Sequence, residues 1–494
     1  MSASTAAAPS PVAPVAPADP VANPSPEPPT DTYRLFRRIV PPDVINQRQP
    51  SARQAVYTAF VTVWLLIFQR LRGGVSLDEA VSALLFTFPK EDLPLCKRLL
   101  DNAVSANNSG YSRGRTRLDP KLPGWLADRV FDSLHAGVRP SWKGRHVMLL
   151  DGSTFSLAPT KDLREAFPPA SNQYGPSHWP ILHVVVAHDL DTGLVCRPEY
   201  GPMYGEDCES ESSLTLDLLP RLPPYSLLLA DGNFGIFNIA YHAVTLGTHD
   251  VLLHLSESRF RSLLKEAHPI GLGRWEVKWH PSAAERKKYG DRLPEDAEVR
   301  GYVAAVEIGN RGESKTLYLF TTLREGTNFE WGELYGRRWC VETDIGAGKV
   351  TLGLGSVTSK TKEMVEKEVL LATVAYNLIV RVRRLAAEKA GVEPRRLSFT
   401  GTKSLLNAFE ARVAAGDLSE EDLQRMFDKL LRGCGQRKVP NRPGRKFPRE
   451  LIPRRRRYSE RKRQPPDPSP LPGSGPVLAA GVDKASDANT HQQL

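Results

Sequence analysis

Cysteine is scarce in this chain. The 494 residues hold five, Cys96, Cys196, Cys208, Cys340 and Cys434, and no two have CxxC spacing. A zinc ribbon or a disulfide framework is thereby excluded, and reduced thiols in a cytosolic compartment fit best. Long apolar runs are also missing. The longest, Ala59 to Phe68, is interrupted by Thr62 and meets Gln69-Arg70, short of the ~20 residues that a membrane span needs. The first thirty residues contain nine Pro but no Lys or Arg. They lack the positive start and continuous apolar stretch of a secretory signal and read as a disordered, polyproline-like leader. No internal repeat is visible. What remains is ordinary globular usage, 40% hydrophobic and 25% charged, over a length that suits about three domains.

The net charge of +10 is unevenly placed. Residues 432–463 hold 14 Lys+Arg against Glu450 and Glu460, a surplus of 12. Residues 464–494 carry −2, so the body, 1–431, is neutral. A basic tail on a neutral body reads as a polyanion grip, with nucleic acid favoured over a solvated tail that has no partner.

Residues 31–140 look mainly helical. Ala52 to Leu71 is apolar on most faces and stops at Gly73-Gly74, and Ser76-Leu-Asp-Glu79 is a capping box for a helix to about Phe86. After the polar turn Asn107–Gly110, Arg113, Arg115 and Arg117 alternate beside a helix, as phosphate contacts or as a solvated turn. From residue 146 apolar strands alternate with helices. Strands are expected at His146–Asp151, His183–His188, Gly193–Cys196, Tyr225–Asp231 and Val251–Leu255, and helices at Glu209–Leu219 and Phe237–Leu246. That rhythm predicts a mixed α/β sheet covered on both faces. Arg274–His280, Val299–Ile308 and Thr316–Phe320 make 258–322 a β-rich insertion. Glu330–Lys349 and Glu363–Glu388 have helical patterns.

Three acids stand out. Asp151 and Asp231 each end an apolar strand and precede a Gly, and strand ends in α/β sheets are where ligand sites are built. The third lies on a helical stripe. Tyr335, Arg338, Glu342 and Lys349 are spaced 3, 4 and 7 apart, which places them within about 60° of one another on a regular helix. Such a stripe suits an acid that ligates a metal beside cations that face phosphate, or else routine surface charge pairs. Gly346 and Gly348 weaken a regular helix before Lys349.

This pattern resembles the DDE transposases of bacterial insertion-sequence family four. Their signature of Tyr, two residues, Arg, three residues, Glu, six residues, Lys is matched at Tyr335, Arg338, Glu342 and Lys349. Leu149-Leu-Asp151-Gly-Ser-Thr and Leu229-Ala-Asp231-Gly-Asn-Phe are similar to its two Asp blocks. Tyr111-Ser-Arg-Gly-Arg-Thr-Arg-Leu118 looks like its upstream Arg segment, and the helix with Asn377 like the one after its Glu. The resemblance covers roughly 50–460. Cys340-Val341, Asp344-Ile345 and the glycines before Lys349 depart from the family pattern.

The resemblance implies a ribonuclease-H-like core, a mixed sheet with helices on both faces, at 141–257 and 323–395. Around it are the leader 1–30, a helical N-terminal DNA-binding region at 31–140, the insertion 258–322, a helical segment at 396–435, and a basic then Pro-rich disordered tail at 436–494. It implies that Asp151, Asp231 and Glu342 are the catalytic acids and hold two Mg²⁺ or Mn²⁺ ions, with Asp151 shared. The expected reaction cuts the ends of an insertion sequence and joins the 3′-hydroxyls to target DNA. The implied DNA contacts are Tyr335, Arg338 and Lys349, with Trp275 or Trp279 stacking on a flipped base, Arg113 and Arg115 upstream, and Arg454, Arg455, Arg456 and Arg457 in the tail. The implied partners are DNA, as element ends and target, and a second copy of the chain on paired ends. The expected location is the bacterial cytoplasm, with the nucleoid. A nuclease without strand transfer and a catalytically inactive DNA-binding relative are the alternatives. The histidines form no ligand set, with His183 and His188 structural, and Ser153 lacks the base that a serine nucleophile needs.

Overall fold

The computed structural model describes residues 31–440 except 174, 311–312 and 417. The leader and the Arg454–Arg457 cluster lie outside the described residues. Among the described residues, no helix is long and apolar enough to cross a membrane.

Residues 32–135 are helical. The helix Ala59–Leu71 is buried on nearly every face, as its all-round apolar pattern requires. It begins later than Ala52 because Gln54 takes a left-handed backbone (φ 74°) and Thr58 supplies the cap, its side chain accepting from the Val61 N–H at 3.3 Å. The next helix, Leu77–Phe86, opens with the expected capping box of Ser76 and Glu79.

Nine strands form one mixed sheet. In chain order they are β1 (His146–Ser156), β2 (Ile181–Asp189), β3 (Glu199–Pro202), β4 (Ser226–Ala230), β5 (Asp250–His254), β6 (His268–Gly271), β7 (Arg274–Trp279), β8 (Val299–Asn310) and β9 (Glu313–Thr321). Their spatial order is β3-β2-β1-β4-β5-β9-β8-β7-β6. β1 pairs parallel with β4 and antiparallel with β2, and β4 pairs parallel with β5. This mixed, helix-covered sheet is consistent with the ribonuclease-H-like expectation. The β-rich stretch after β5 extends the same sheet, with β9 pairing antiparallel to β5.

Gly193–Cys196 departs from expectation. It makes only a bridge between Val195 and His188, and Glu199–Pro202 takes the sheet edge instead. The reason is Asn377, whose buried side-chain amide accepts from the Val195 N–H and donates to its carbonyl, both at 2.9 Å. A side chain there does what a neighbouring strand would do.

Alternation along the strands sorts the core. Met148, Leu150, Leu228 and Ala230 face one layer, with Leu371, Val374 and Leu378 of the long helix Lys362–Ala390. Val147, Leu149, Leu227 and Leu229 face the other, with Trp331, Leu334 and Val341. That second face carries the Tyr335–Lys349 segment. By the same period-two alternation, Asp151 and Asp231 belong to it.

A buried ion cluster ties the N-terminal helices to the long helix. Glu368 accepts from Arg70 at 2.6 Å and also from Arg115. The fully buried Lys367 donates to the carbonyls of Arg115 and Thr116 at 3.1 and 3.3 Å. Buried charges persist only when paired in this way.

Candidate active site

Asp151 lies midway along β1, where burial loosens from the apolar run before it. Its Oδ1 accepts from the Gly152 N–H at 2.8 Å. Gly152 lets Glu211 lie close against the strand, since a Cβ there would lie 2.1 Å from Glu211 Oε1 and the carboxylate would have to move. The alternation of Gly152 with Asp151 places Glu211 on the opposite face from the Asp151 carboxylate. Asp231 follows β4 and closes a turn, with its Oδ1 accepting from the Asn233 N–H at 2.9 Å. That turn packs on His254, and a Cβ at Gly235 would meet the His254 carbonyl at 2.0 Å.

The third block is not one regular helix. It runs as Asn328–Gly336, a 3₁₀ turn Arg337–Trp339, Cys340–Gly346, and a π turn Ala347–Thr351. The backbone still advances in one direction, so Tyr335, Arg338 and Glu342 stay on the side that faces the sheet. Arg338 donates to Glu342 at 3.2 Å, and the Tyr335 ring lies 5.9 Å from that of His254. Lys349 sits in the π turn, with its ammonium 5.2 Å from the Phe155 ring. Phe155 is on β1, beyond Asp151. The widened turn therefore keeps Lys349 over the acid strand despite the glycines.

Electrostatics join these groups. Burial, and then the charge of Asp231, push the Asp151 carboxyl up to about 6, with Glu342 adding in the same direction. Burial pushes the Tyr335 hydroxyl up to about 12, with Asp231 and Asp151 contributing. Burial lowers Lys349, while Asp151 opposes that shift. Asp151 thus senses both other acids, yet the three are not packed tightly. Among the described residues, three ligand atoms all lie within 4.8 Å of one another only at His135, His146 and Asp189, which include none of the three acids.

Asp344 explains one departure in the signature block. It is 3% exposed, accepts from Arg395 and lies 3.6 Å from His188. It anchors the Glu342 helix to the sheet and to the segment after the long helix. His188 is a core residue, and burial lowers its imidazole to about 4. His183 is also buried and hydrogen-bonded to the Glu209 carbonyl at 2.9 Å.

Two DNA-contact readings need correction, the stacking assigned to Trp275 or Trp279 and the contact assigned to Arg115. Trp279 is 4% exposed, edge-on to Phe320 at 4.7 Å and to Phe237 at 6.0 Å. It is core and has no face to offer a base. Trp275 lies on the same side of β7, half-buried against Phe260 at 6.0 Å. Alternation along β7 turns both rings inward and leaves Glu276 and Lys278 outside. The exposed tryptophan of this region is Trp339, 60% accessible and adjacent to Arg338. Its place between two Arg and the signature Glu was the signal in the sequence.

Arg115 is the second correction. The segment is a helix, Ser109–Arg117, on which residues two apart point about 200° from each other. Arg113 and Arg117 are exposed, whereas Arg115 turns inward to Glu368 and Ser359. Arg113 and Arg117 line a groove of about 710 Å³ with Arg53 and Arg98.

The sheet carries one acid midway along β1 and another just after β4, beneath a helix with a third, and a family model described as a transposase DDE domain matches residues 142–378. That match spans all three acid blocks. The chain is similar to "Transposase InsG for insertion sequence element IS4" of Escherichia coli (strain K12), with 25% identity over 403 residues, 80% of this chain and 85% of that protein. These likenesses support a DDE transposase of insertion-sequence family four. The chain is accordingly a DNA transposase, an enzyme that acts on DNA.

Proposed function

We propose that the chain cuts the ends of an insertion sequence and joins the released 3′-hydroxyls to target DNA at a single centre built from Asp151, Asp231 and Glu342. The observation that carries this reading is the raised carboxyl of Asp151, on which burial, Asp231 and Glu342 all act in one direction. Structural carboxylates are normally paired with cations alone, whereas the half-buried Asp151 has like charges beside it as well as Arg338 and Lys349.

The donor set fits Mg²⁺ or Mn²⁺, because all three ligands are carboxylates. A raised Asp151 carboxyl marks a place where added positive charge is favourable. The looseness of the three acids suits two ions about 4 Å apart better than one. Asp151 would be shared, with Asp231 and Glu342 each holding one ion. When bound, such ions supply activation of the attacking oxygen and stabilisation of the leaving oxygen. The chain's own groups bind and orient the DNA. Arg338 releases Glu342 to the ions and turns to phosphate, Lys349 supplies a second phosphate contact, and Tyr335, kept neutral, packs the strand near the cut. Trp339 offers the exposed ring for base stacking, which is worth about 1–3 kcal/mol per base.

Farther away, Arg53, Arg98, Arg113 and Arg117 give the N-terminal helices a phosphate-binding groove. The tail, with Arg454, Arg455, Arg456 and Arg457, adds grip without sequence preference, so truncation at residue 436 is expected to make the salt dependence of DNA binding shallower. A second copy of the chain would hold the other element end, in the nucleoid.

The test is cleavage and strand transfer on a plasmid carrying the gene's own flanking DNA, with wild type and Asp231→Asn compared in Mg²⁺ and in chelator. Metal-dependent end cuts and joined products that vanish in the variant are expected. Cuts without joined products would make the chain a nuclease, binding without cuts would make it an inactive relative, and cuts that persist in Asp231→Asn would mean a different centre.

A further inference from the structure

We propose that His135, His146 and Asp189 form a second metal site, separate from the acid centre, that takes Zn²⁺ or a similar borderline cation. His135 ends the helix Lys121–His135, His146 opens β1 and Asp189 ends β2. One ligand atom from each lies within 4.8 Å of the other two. His135 Nε2 and Asp189 Oδ2 are 3.6 Å apart. Ligands at tetrahedral angles and zinc bonds of 2.0–2.1 Å sit about 3.4 Å apart.

Burial sharpens the case. Asp189 is 0% exposed and His135 9%. The same two buried atoms, His135 Nε2 and Asp189 Oδ2, face each other as an ion pair at 3.6 Å, too long for a good hydrogen bond, and neither has another hydrogen-bond partner. Buried polar atoms are normally satisfied more closely, so the gap between them suits a bridging cation. The other carboxylate oxygen is already held, because Asp189 Oδ1 accepts from Thr192 N and Oγ1 at 2.7 and 2.5 Å. The Asp189 carbonyl accepts from Arg395 at 2.9 Å. His135 stacks on Phe131 at 5.1 Å and meets the His146 ring at 4.5 Å. Two rings and one carboxylate oxygen are thus preset, and the half-buried His146 leaves a side for entry and for a water as fourth ligand. Arg384, which donates to the Leu134 carbonyl at 2.8 Å, adds positive charge nearby, and the carboxylates of Asp132 and Asp191 counter it.

Two imidazoles and a carboxylate suit zinc, cobalt or nickel rather than Mg²⁺. His146 precedes Asp151 by five residues on β1, about 16 Å of strand, so the ion belongs to a different end of the sheet. Bound there, it clamps the last N-terminal helix onto the strand that carries Asp151.

The experiment uses untagged full-length chain with Asp151→Asn and Asp231→Asn, so that the acid centre does not compete. After chelator treatment it is titrated calorimetrically with ZnCl₂. One Zn²⁺ per chain is expected, with an added His146→Gln weakening uptake at least ~100-fold, beyond the roughly 10–100-fold of an outer partner. Loading with Co²⁺ gives a readout that needs no change at the new site, because a four-coordinate N₂O₂ site absorbs strongly in the visible. No zinc uptake, uptake unchanged by both His146→Gln and His135→Gln, or a weak six-coordinate Co²⁺ spectrum would overturn the site and leave His135 and Asp189 as a plain ion pair.

Discussion

Asp151 and Asp344 belong to neighbouring regions of the same sheet face, and their surroundings drive them in opposite directions. Asp344 is almost fully enclosed, and burial alone would push its carboxyl up. The guanidinium of Arg395, with His188 and Arg383, outweighs that and holds it below the ordinary value. Asp151 is less enclosed, and burial, then the charge of its neighbour Asp231, raise its carboxyl to about 6. Burial pushes both acids up, and the cations beside Asp344 are what reverse the direction there.

The sharpest test of this contrast exchanges the two losses. Glu342→Gln or Asp231→Asn is expected to reduce end cleavage by about 10³-fold or more while urea unfolding stays near wild type. Asp344→Ala is expected to do the reverse. It strands the buried charge of Arg395, at a cost of about 3–5 kcal/mol in chemical denaturation. If Glu342→Gln unfolds the chain and Asp344→Ala only slows it, the assignment of the two regions is inverted.

The next effect is smaller and depends on pH. Because folding raises the Asp151 pKa, the folded chain is penalised once pH passes above the ordinary carboxylate value, and most fully above about 6. Asp151→Asn is therefore expected to abolish cleavage yet raise stability at pH 7 by about 1 kcal/mol after solvent screening. That gain should vanish as pH falls below about 4, where the wild-type carboxyl is protonated in both states. Because protons compete with metal for the free carboxylate of Asp151, metal affinity should weaken as pH drops through about 6. A destabilised Asp151→Asn at pH 7 would remove the claim that the site holds excess negative charge.

The smallest expected effect separates two arginines on one helix. Arg113→Ala should lower the salt slope of DNA binding by about one and leave stability unchanged. Arg115→Ala should instead destabilise the chain, because it breaks the pairing with Glu368. Equal salt slopes in the two variants would take the groove out of DNA binding.

Much of this was legible in the sequence. The apolar runs before Asp151 and Asp231 marked two buried strands, since only both-face burial permits such continuity, and the structure pairs them as neighbours. The capping box at Ser76 and the 3-4-7 spacing from Tyr335 to Lys349 are local patterns set by helix geometry. The Trp275 and Trp279 readings failed for want of a direction: alternation put both rings on one side of β7 without saying which side faced the core. Arg115 failed because its partner, Glu368, lies more than 250 residues away.

The sequence by itself determined the apolar runs before Asp151 and Asp231, the signature spacing and a charge confined to one tail, because each depends on neighbours along the chain; that β1 runs on past Asp151 to Ser156 was not among them. Only the tertiary structure decided that the β-rich stretch joins the edge of the same sheet, that Asn377 takes the place of a strand beside Val195, and that His135, His146 and Asp189 meet. Those outcomes depend on which distant side chain arrives to satisfy a buried polar group, and pairing of that kind leaves no local pattern to read.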